Sequence, residues 1–151
     1  MSKHDSHNFA NPLMRGLLVL ECFSSEQDRF SLAQLATILD MPKSSLFRVV
    51  KRLSGMNYLR CDDQSKTHRL GTRVLSLGSS VLQGMEFREP ARPYLEGLSR
   101  QFNKTANPAV LDKHQTVCVE RVKVPGYRDF NMGIGSRIPV WNAGLEGKRS
   151  K

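Results

Sequence analysis

Apolar side chains recur at helical spacing in two adjoining stretches of residues 31–56, and this pattern predicts a pair of short helices. The first stretch has Leu32, Leu35, Ala36 and Leu39 at i, i+3, i+4 and i+7, and the second repeats that spacing with Leu46, Val49, Val50 and Leu53. Each predicted helix therefore has one apolar stripe. The residues between them, Asp40 and Met41, interrupt the pattern, and Pro42 suits the first position of the second helix.

The start of the first helix of this pair carries two local signals. Ser31 and Gln34 have the spacing of a capping box, and Phe30 and Leu35 have that of a hydrophobic staple. Only a short connection separates the two helices, which is typical of a helix-turn-helix with a steep crossing angle.

Further elements are predicted on both sides of the pair. Before it, Asn11 caps a helix that runs to about Phe23, with a core stripe of Leu13, Leu17 and Leu20 that Leu18 and Cys22 widen. After it, Gly55 and Asn57 suit a helix stop, and residues 58–61 and 67–70 read as two strands of a wing. Helices are then expected over residues 72–83 and from Pro90 through Phe102, followed by strands over 109–111, 116–122 and 128–132 and a loop marked by Gly133, Gly135 and Pro139.

The polar face of the second helix of the pair suits contact with nucleic acid. At about 100° per residue, Ser44, Arg48 and Lys51 lie opposite the apolar stripe, and no acid occurs between Lys43 and Arg60. Small hydroxyls permit close approach to a groove, and arginine can form a bidentate contact with guanine or phosphate. The predicted DNA contacts are Ser31, Lys43, Ser44, Ser45, Arg48, Lys51 and Arg52, with Lys66 and Arg69 on the wing.

A plain alternative is that this face is only solvated, as most basic helix faces are. The capped helix before it and the wing after it favour the DNA interpretation. The net charge of +9 supports an anionic partner, but the excess of Lys and Arg is spread over both halves of the chain. The placement of the bases therefore matters more than their number.

Other classes of site have little support in the sequence. Cys22, Cys61 and Cys118 form no CxxC pair, so buried or half-buried thiols are expected. His4 and His7 lie in a polar N-terminal segment that is expected to be disordered rather than to bind metal. No phosphate loop, nucleophile motif, cofactor motif or membrane-spanning run is present, so we expect a cytoplasmic protein that is not an enzyme and has no cofactor.

The chain resembles the N-terminal part of the IclR family of bacterial transcriptional regulators from about Arg15 to Gly144. The most specific segment is PKSSLFRVVKRL, followed by NYL and, after the wing, by HRLGTRVLSLG; SRIPVW is similar to the start of the family's ligand-binding domain. The resemblance implies DNA contact by Ser44, Ser45 and Arg48, and also by Lys43 and Arg52. It further implies dimers or tetramers that bind palindromic operators.

The fold that this resemblance implies is α+β: a winged helix-turn-helix, a linker helix and a GAF-like α/β effector domain. The expected parts are a disordered tail at 1–10, a DNA-binding domain at 11–71, a linker helix at 72–86 and an effector domain at 87–151. Family proteins continue for roughly another hundred residues, as two domains of ordinary size require. The effector domain is therefore expected to be truncated, which puts its response to a small molecule in doubt.

Two functions remain open at this point. The first is a sequence-specific transcriptional regulator, expected to be a repressor, that acts as a homodimer on double-stranded DNA. The second is a truncated dimerisation module that sequesters full-length relatives without binding DNA itself.

Overall fold

The computed structural model describes residues 11–24, 26–123 and 133–142, and the chain divides into two compact units, Met1–Ser80 and Val81–Lys151. The N-terminal segment expected to be disordered and the strand expected at 128–132 lie outside the described residues. In the described parts of the chain, no helix has the length and apolar character needed to cross a membrane.

The first helix, α1, spans Pro12–Glu21 and begins as predicted: the Asn11 side chain accepts a hydrogen bond of 2.9 Å from the backbone N–H of Leu13. Its predicted core stripe is only partly confirmed: Leu18, Leu20 and Cys22 pack against the core cluster. Leu13 and Leu17 are 70% and 48% exposed, whereas Val19 is fully buried. Apolar residues occupy several faces of this helix, so its packing against the rest of the unit, rather than periodicity, selects the buried face.

The helix pair consists of α2, Leu32–Ile38, and α3, Lys43–Gly55. The predicted capping box is present: Gln34 N–H donates to the Ser31 hydroxyl, and Ser31 N–H donates to the Gln34 side chain at 2.8 Å. Asp40 has a φ of 47° in the connection, and Met41 is buried. Pro42 is the N-cap of α3 rather than its first residue, so the helix begins one residue later than predicted.

The end of α3 is a Schellman motif, as the helix-stop residues indicated. Tyr58 N–H donates to the Leu53 carbonyl at 2.9 Å and Asn57 N–H to the Ser54 carbonyl at 3.0 Å. Asn57 has a φ of 61°, the left-handed conformation that this motif requires. The chain then enters the wing in a fixed direction.

The wing is formed by β2, Leu59–Cys61, and β3, Thr67–Leu70, which pair antiparallel as predicted. A third strand, β1, was not predicted. It covers only Phe30–Ser31 and pairs with β3, which gives a sheet of order β1-β3-β2. The residue that caps α2 is therefore also tied to the wing.

One apolar cluster holds this unit together. It contains side chains from α1, α2, α3 and the wing: Val19, Phe23, Phe30, Leu35, Ala36, Met41, Leu46, Val50 and Leu59. Phe23 and Phe30 meet edge to face, with ring centroids 5.2 Å apart. Full burial of each Leu or Val side chain is worth about 1.5–3 kcal/mol, so the cluster is the main stabilising element.

Helix α4 spans Thr72–Gln83, as predicted, and crosses the boundary between the two units. None of its residues is buried. Val74 and Leu82 are partly covered, whereas Leu77 and Val81 are exposed.

In the second unit, α5 spans Arg88–Phe102. It begins two residues before Pro90, the predicted opening residue, and contains Pro93. Because proline has no N–H, the Glu89 carbonyl receives no helical hydrogen bond from position 93. Both residues are exposed, so water can donate to that carbonyl instead. Three of its large apolar side chains are exposed: Tyr94, Leu98 and Phe102.

The sheet of this unit has the order β4-β5-β6. The predicted hairpin is present as β4, Ala109–Asp112, and β5, Gln115–Cys118, and its turn contains Lys113 with a φ of 56°. The predicted loop residue Pro139 lies instead in β6, Arg137–Pro139. An edge strand tolerates proline, because one side of it forms no ladder. A single 3₁₀ turn, Val140–Asn142, follows.

A partly buried ion pair connects helix and sheet within the second unit. Arg88 Nη2 lies 2.7 Å from Glu120 Oε2, and Arg88 Nη1 donates to the Leu82 carbonyl at 3.4 Å. The Glu120 side chain also accepts from the Arg121 backbone N–H at 3.0 Å. These bonds tie the last turn of α4 and the first turn of α5 to the segment after β5.

Gly71 provides a test of how the wing is joined to α4. A Cβ there would overlap the Asn57 carbonyl oxygen and lie 2.8 Å from the Asn57 carbonyl carbon. We expect Gly71→Ala to destabilise the protein by about 1–3 kcal/mol, since backbone must move. Gly78→Ala is the matched control: it has open space in α4, and it should be stabilising by up to about 1 kcal/mol. Urea unfolding measures both, and equal effects would contradict the close approach at Gly71.

Candidate nucleic-acid interface

Helix α3 has one buried and one exposed face. Leu46 and Val50 are buried, and Val49 and Leu53 pack partly against the same cluster. The residues on the opposite side are exposed except for the half-buried Ser45: Lys43, Ser44, Phe47, Arg48, Lys51 and Arg52. The predicted polar face is therefore accessible over the whole length of the helix.

The cations of this face have no partner within the described parts of the chain. Lys43, Arg48 and Lys51 form neither a side-chain hydrogen bond nor an ion pair with another described residue. Helix α3 itself contains no acidic residue. Its charge is thus available to an external anion, and the free N–H groups of its first turn add a favourable dipole.

The wing, which follows α3 in the chain, contributes further basic residues. Lys66 and Arg69 are exposed, as a contact with phosphate requires. The register pairs Arg69 directly with Arg60 across the two strands. Like charges in such a pair repel each other, and a phosphate between them would relieve that repulsion. Arg60 was not among the predicted contacts, because its pairing with Arg69 depends on the register of the two wing strands.

The acidic residues in the wing turn bear on this surface. Asp62 Oδ1 accepts from the backbone N–H groups of Gln64 and Ser65, at 3.0 and 3.3 Å, and Asp62 Oδ2 lies 3.7 Å from Arg29 Nη1. The backbone hydrogen bonds, with a smaller contribution from Arg29, hold the pKa of Asp62 below its ordinary value. Its charge is used to close the turn. Asp63 remains exposed.

Ser31 differs from the other predicted contacts. It is half-buried, and its hydroxyl oxygen accepts the capping hydrogen bond from Gln34 N–H at 3.2 Å. The hydroxyl keeps its own proton for donation to a phosphate. Its capping role is established by geometry, and its contact with DNA stays a prediction.

An apolar groove lies on another side of the first unit. It encloses about 340 Å³ between α1, the end of α3 and α4. Leu13 and Leu17 lie along one wall and Met56 and Leu77 along the others, and all four are exposed. The leucines that were expected in the core therefore line a surface groove.

The second unit contains a polar hollow of about 450 Å³, which α5 lines together with residues 121–123. Its acid, Glu96, already forms ion pairs with Arg92 at 3.3 Å and Arg100 at 3.5 Å. Ion pairs within α5 therefore account for the charges of Arg92, Glu96 and Arg100.

The cysteines only partly match expectation. Cys22 and Cys118 are half-buried and buried, and burial raises the pKa of both thiols. Cys61 is exposed on the wing, so the expectation of a covered thiol is wrong there. The described residues include no group of three or more His, Cys, Asp or Glu that would hold a metal ion.

The capped helix pair followed by a two-stranded wing defines a winged helix-turn-helix, a class of nucleic-acid-binding domain. Residues 12–63 match the model of the IclR helix-turn-helix domain. This match confirms the resemblance to the IclR family, and the chain carries that family's domain.

Individual relatives extend the similarity beyond this domain. The HTH-type transcriptional regulator TsaQ1/TsaQ2 of Comamonas testosteroni is 31% identical over 135 residues, which is 88% of this chain and 48% of that protein. The transcriptional repressor IclR of Escherichia coli K12 is 25% identical over 87% of this chain and 49% of its own length. This chain spans about half the length of these relatives.

A solved structure gives the same result for the fold. An IclR family transcriptional regulator from Brucella abortus superposes with a TM-score of 0.72 at 28% identity, covering 85% of this chain and 48% of that one. The mixed fold, with an N-terminal helix-turn-helix followed by part of an α/β domain, is thereby confirmed.

Proposed function

We propose that the chain is a sequence-specific transcriptional regulator that binds double-stranded DNA through α3. The observation that carries this proposal is the exposed hydroxyl and guanidinium face of α3, whose cations have no described protein partner. The matched domain model and the names of the relatives support the same function.

In this proposal the residues of α3 have distinct roles. Ser44 and Ser45 permit the first turn to approach the floor of the major groove closely, and Arg48, one turn later, donates two hydrogen bonds to a guanine edge. The remaining cations bind backbone phosphates and fix the register, as does Ser31 with its free proton: Lys43, Lys51, Arg52, Lys66 and Arg69. Arg60 joins the phosphate contacts because it lies beside Arg69.

We further propose a homodimer, or a tetramer built from it, on a palindromic operator. Two copies of α3 would then enter successive major grooves about 34 Å apart. The apolar groove of the first unit supports self-association, since Leu13, Leu17, Met56 and Leu77 are exposed around it. Covering it with a second copy would remove this apolar surface from water.

The finer regulatory features are also proposals. Repression is supported by the similarity to the Escherichia coli transcriptional repressor IclR. A chromosomal target places the protein in the cytoplasm. The non-enzymatic role follows from a site whose parts bind an anion and do not include a nucleophile paired with a base.

A second candidate function is a dimerisation module that sequesters longer relatives without contacting DNA. The apolar groove favours it, because it provides a surface for association that is independent of α3. The two functions differ in a simple observation. A sequestering module co-purifies with a longer relative, yet the purified protein shows no salt-dependent binding to any duplex.

The role of Arg48 is tested by Arg48→Ala. We expect it to weaken binding to a duplex selected from random sequences by about 1–3 kcal/mol and to relax the preference at one base pair per half-site. Arg100→Ala is the matched control, because it removes the same charge from an exposed position in the other unit. Competition binding at fixed salt measures both variants. Equal affinities for Arg48→Ala and the unaltered protein would remove Arg48 from the interface.

The dimer surface is tested by Leu77→Glu, which places a charge in the apolar groove. We expect the dimer to dissociate and operator affinity to fall, because half-sites would then bind independently. Ile38→Glu is the control, since Ile38 is equally exposed in the same unit but does not line the groove. Sedimentation gives the mass of each variant. A Leu77→Glu protein that remains dimeric would contradict this placement of the interface.

A further inference from the structure

Phe47 is an exposed aromatic residue on the otherwise polar face of α3. Its exposure is 54%, whereas Phe23 and Phe30 of the same unit are buried. Every other large apolar side chain within Lys43–Gly55 is buried or partly covered by the core cluster. Water therefore contacts a phenyl ring at the centre of the helix that is proposed to read DNA.

The helical position of Phe47 gives it the same neighbours as the proposed base contacts. It follows Ser44 by three residues and precedes Lys51 by four, so these side chains are adjacent on the helix surface. Arg48 is the next residue in the chain. A duplex that meets Ser44 and Arg48 must also cover the ring.

The apolar groove does not account for this exposure. Val49, Leu53 and Met56 line the groove on the other side of the helix, and Arg52 lies at the border between the groove and the polar face. A second copy seated in the groove would leave Phe47 uncovered. The ring needs a different partner.

The chemistry of the major groove restricts what that partner can be. A phenyl ring neither donates nor accepts conventional hydrogen bonds, so placing it against polar groups of guanine, adenine or cytosine would leave them without partners. Thymine alone presents a methyl group in this groove, and phenylalanine is one of the side chains that suit it.

We propose that Phe47 packs against the C5-methyl group of a thymine next to the base that Arg48 contacts, and so determines part of the operator sequence. This inference rests on the proposed function and adds a second specificity-determining residue to it. Lys51, beside the ring, anchors a phosphate and keeps the ring pressed into the groove.

The test uses the full chain and the duplex it selects from random sequences. Each thymine is replaced in turn, in both half-sites, by deoxyuridine, which keeps base pairing and lacks only the methyl group. At one position, the replacement should lower the affinity for the duplex about fourfold per half-site, or about fifteenfold when both half-sites are changed. This is the loss expected when the burial of one methyl-sized group is removed. Phe47→Ala should bind the thymine and deoxyuridine duplexes equally at that position.

Ile38→Ala is the control, since it removes an exposed apolar side chain outside α3 and should leave the deoxyuridine effect intact. Sedimentation of Phe47→Ala checks that it keeps its mass. Deoxyuridine effects of equal size in both proteins would overturn the proposal, and so would loss of the dimer in Phe47→Ala, which would place the ring at a protein interface. If the unaltered protein selects no sequence at all, the proposed function itself fails, and this inference fails with it.

Discussion

The burial of Leu46 and Val50 is the constraint on which the rest of the candidate site depends. These two side chains fix the rotation of α3 about its own axis, because turning the helix would expose them and break their packing with Leu35 and Leu59. Full burial of two such side chains is worth about 3–6 kcal/mol, a large share of the stability of a small domain. The outward direction of Ser44 and Arg48 is therefore a consequence of the core.

The two ends of the helix pair are fixed by hydrogen bonds rather than by packing. The capping box at Ser31 starts α2, and the Schellman motif at Asn57 stops α3 and directs the chain into the wing. Strand β1 then pairs Phe30 and Ser31 with the wing strand β3. The start of α2, helix α3 and the wing are thus held together by packing and hydrogen bonds, which fix the positions of their basic residues relative to one another.

Much of this arrangement was predictable because its signals are local. Ser31 with Gln34, the stripe of Leu46 and Val50, and the stop at Asn57 each act within a few residues, and the predicted elements match the structure closely. The face of α1 was not predictable, since its apolar residues surround the helix and only contact with the rest of the unit selects Val19 over Leu13. The position of Pro139 in a strand was not predictable for a similar reason. Whether a proline lies in a loop or in an edge strand depends on a partner strand that is distant in sequence.

The candidate site shows the same division. The polar face of α3 followed from periodicity. Arg60 could be added only from the register of the wing strands, and Phe47 only from the exposure of its side chain in the structure. The central claim is tested most directly by backbone amide NMR during titration with the selected duplex. The account predicts the largest shift changes at residues 43–48 and 66–69 and little change at 109–118. Changes concentrated in 109–118, with residues 43–48 unaffected, would contradict it.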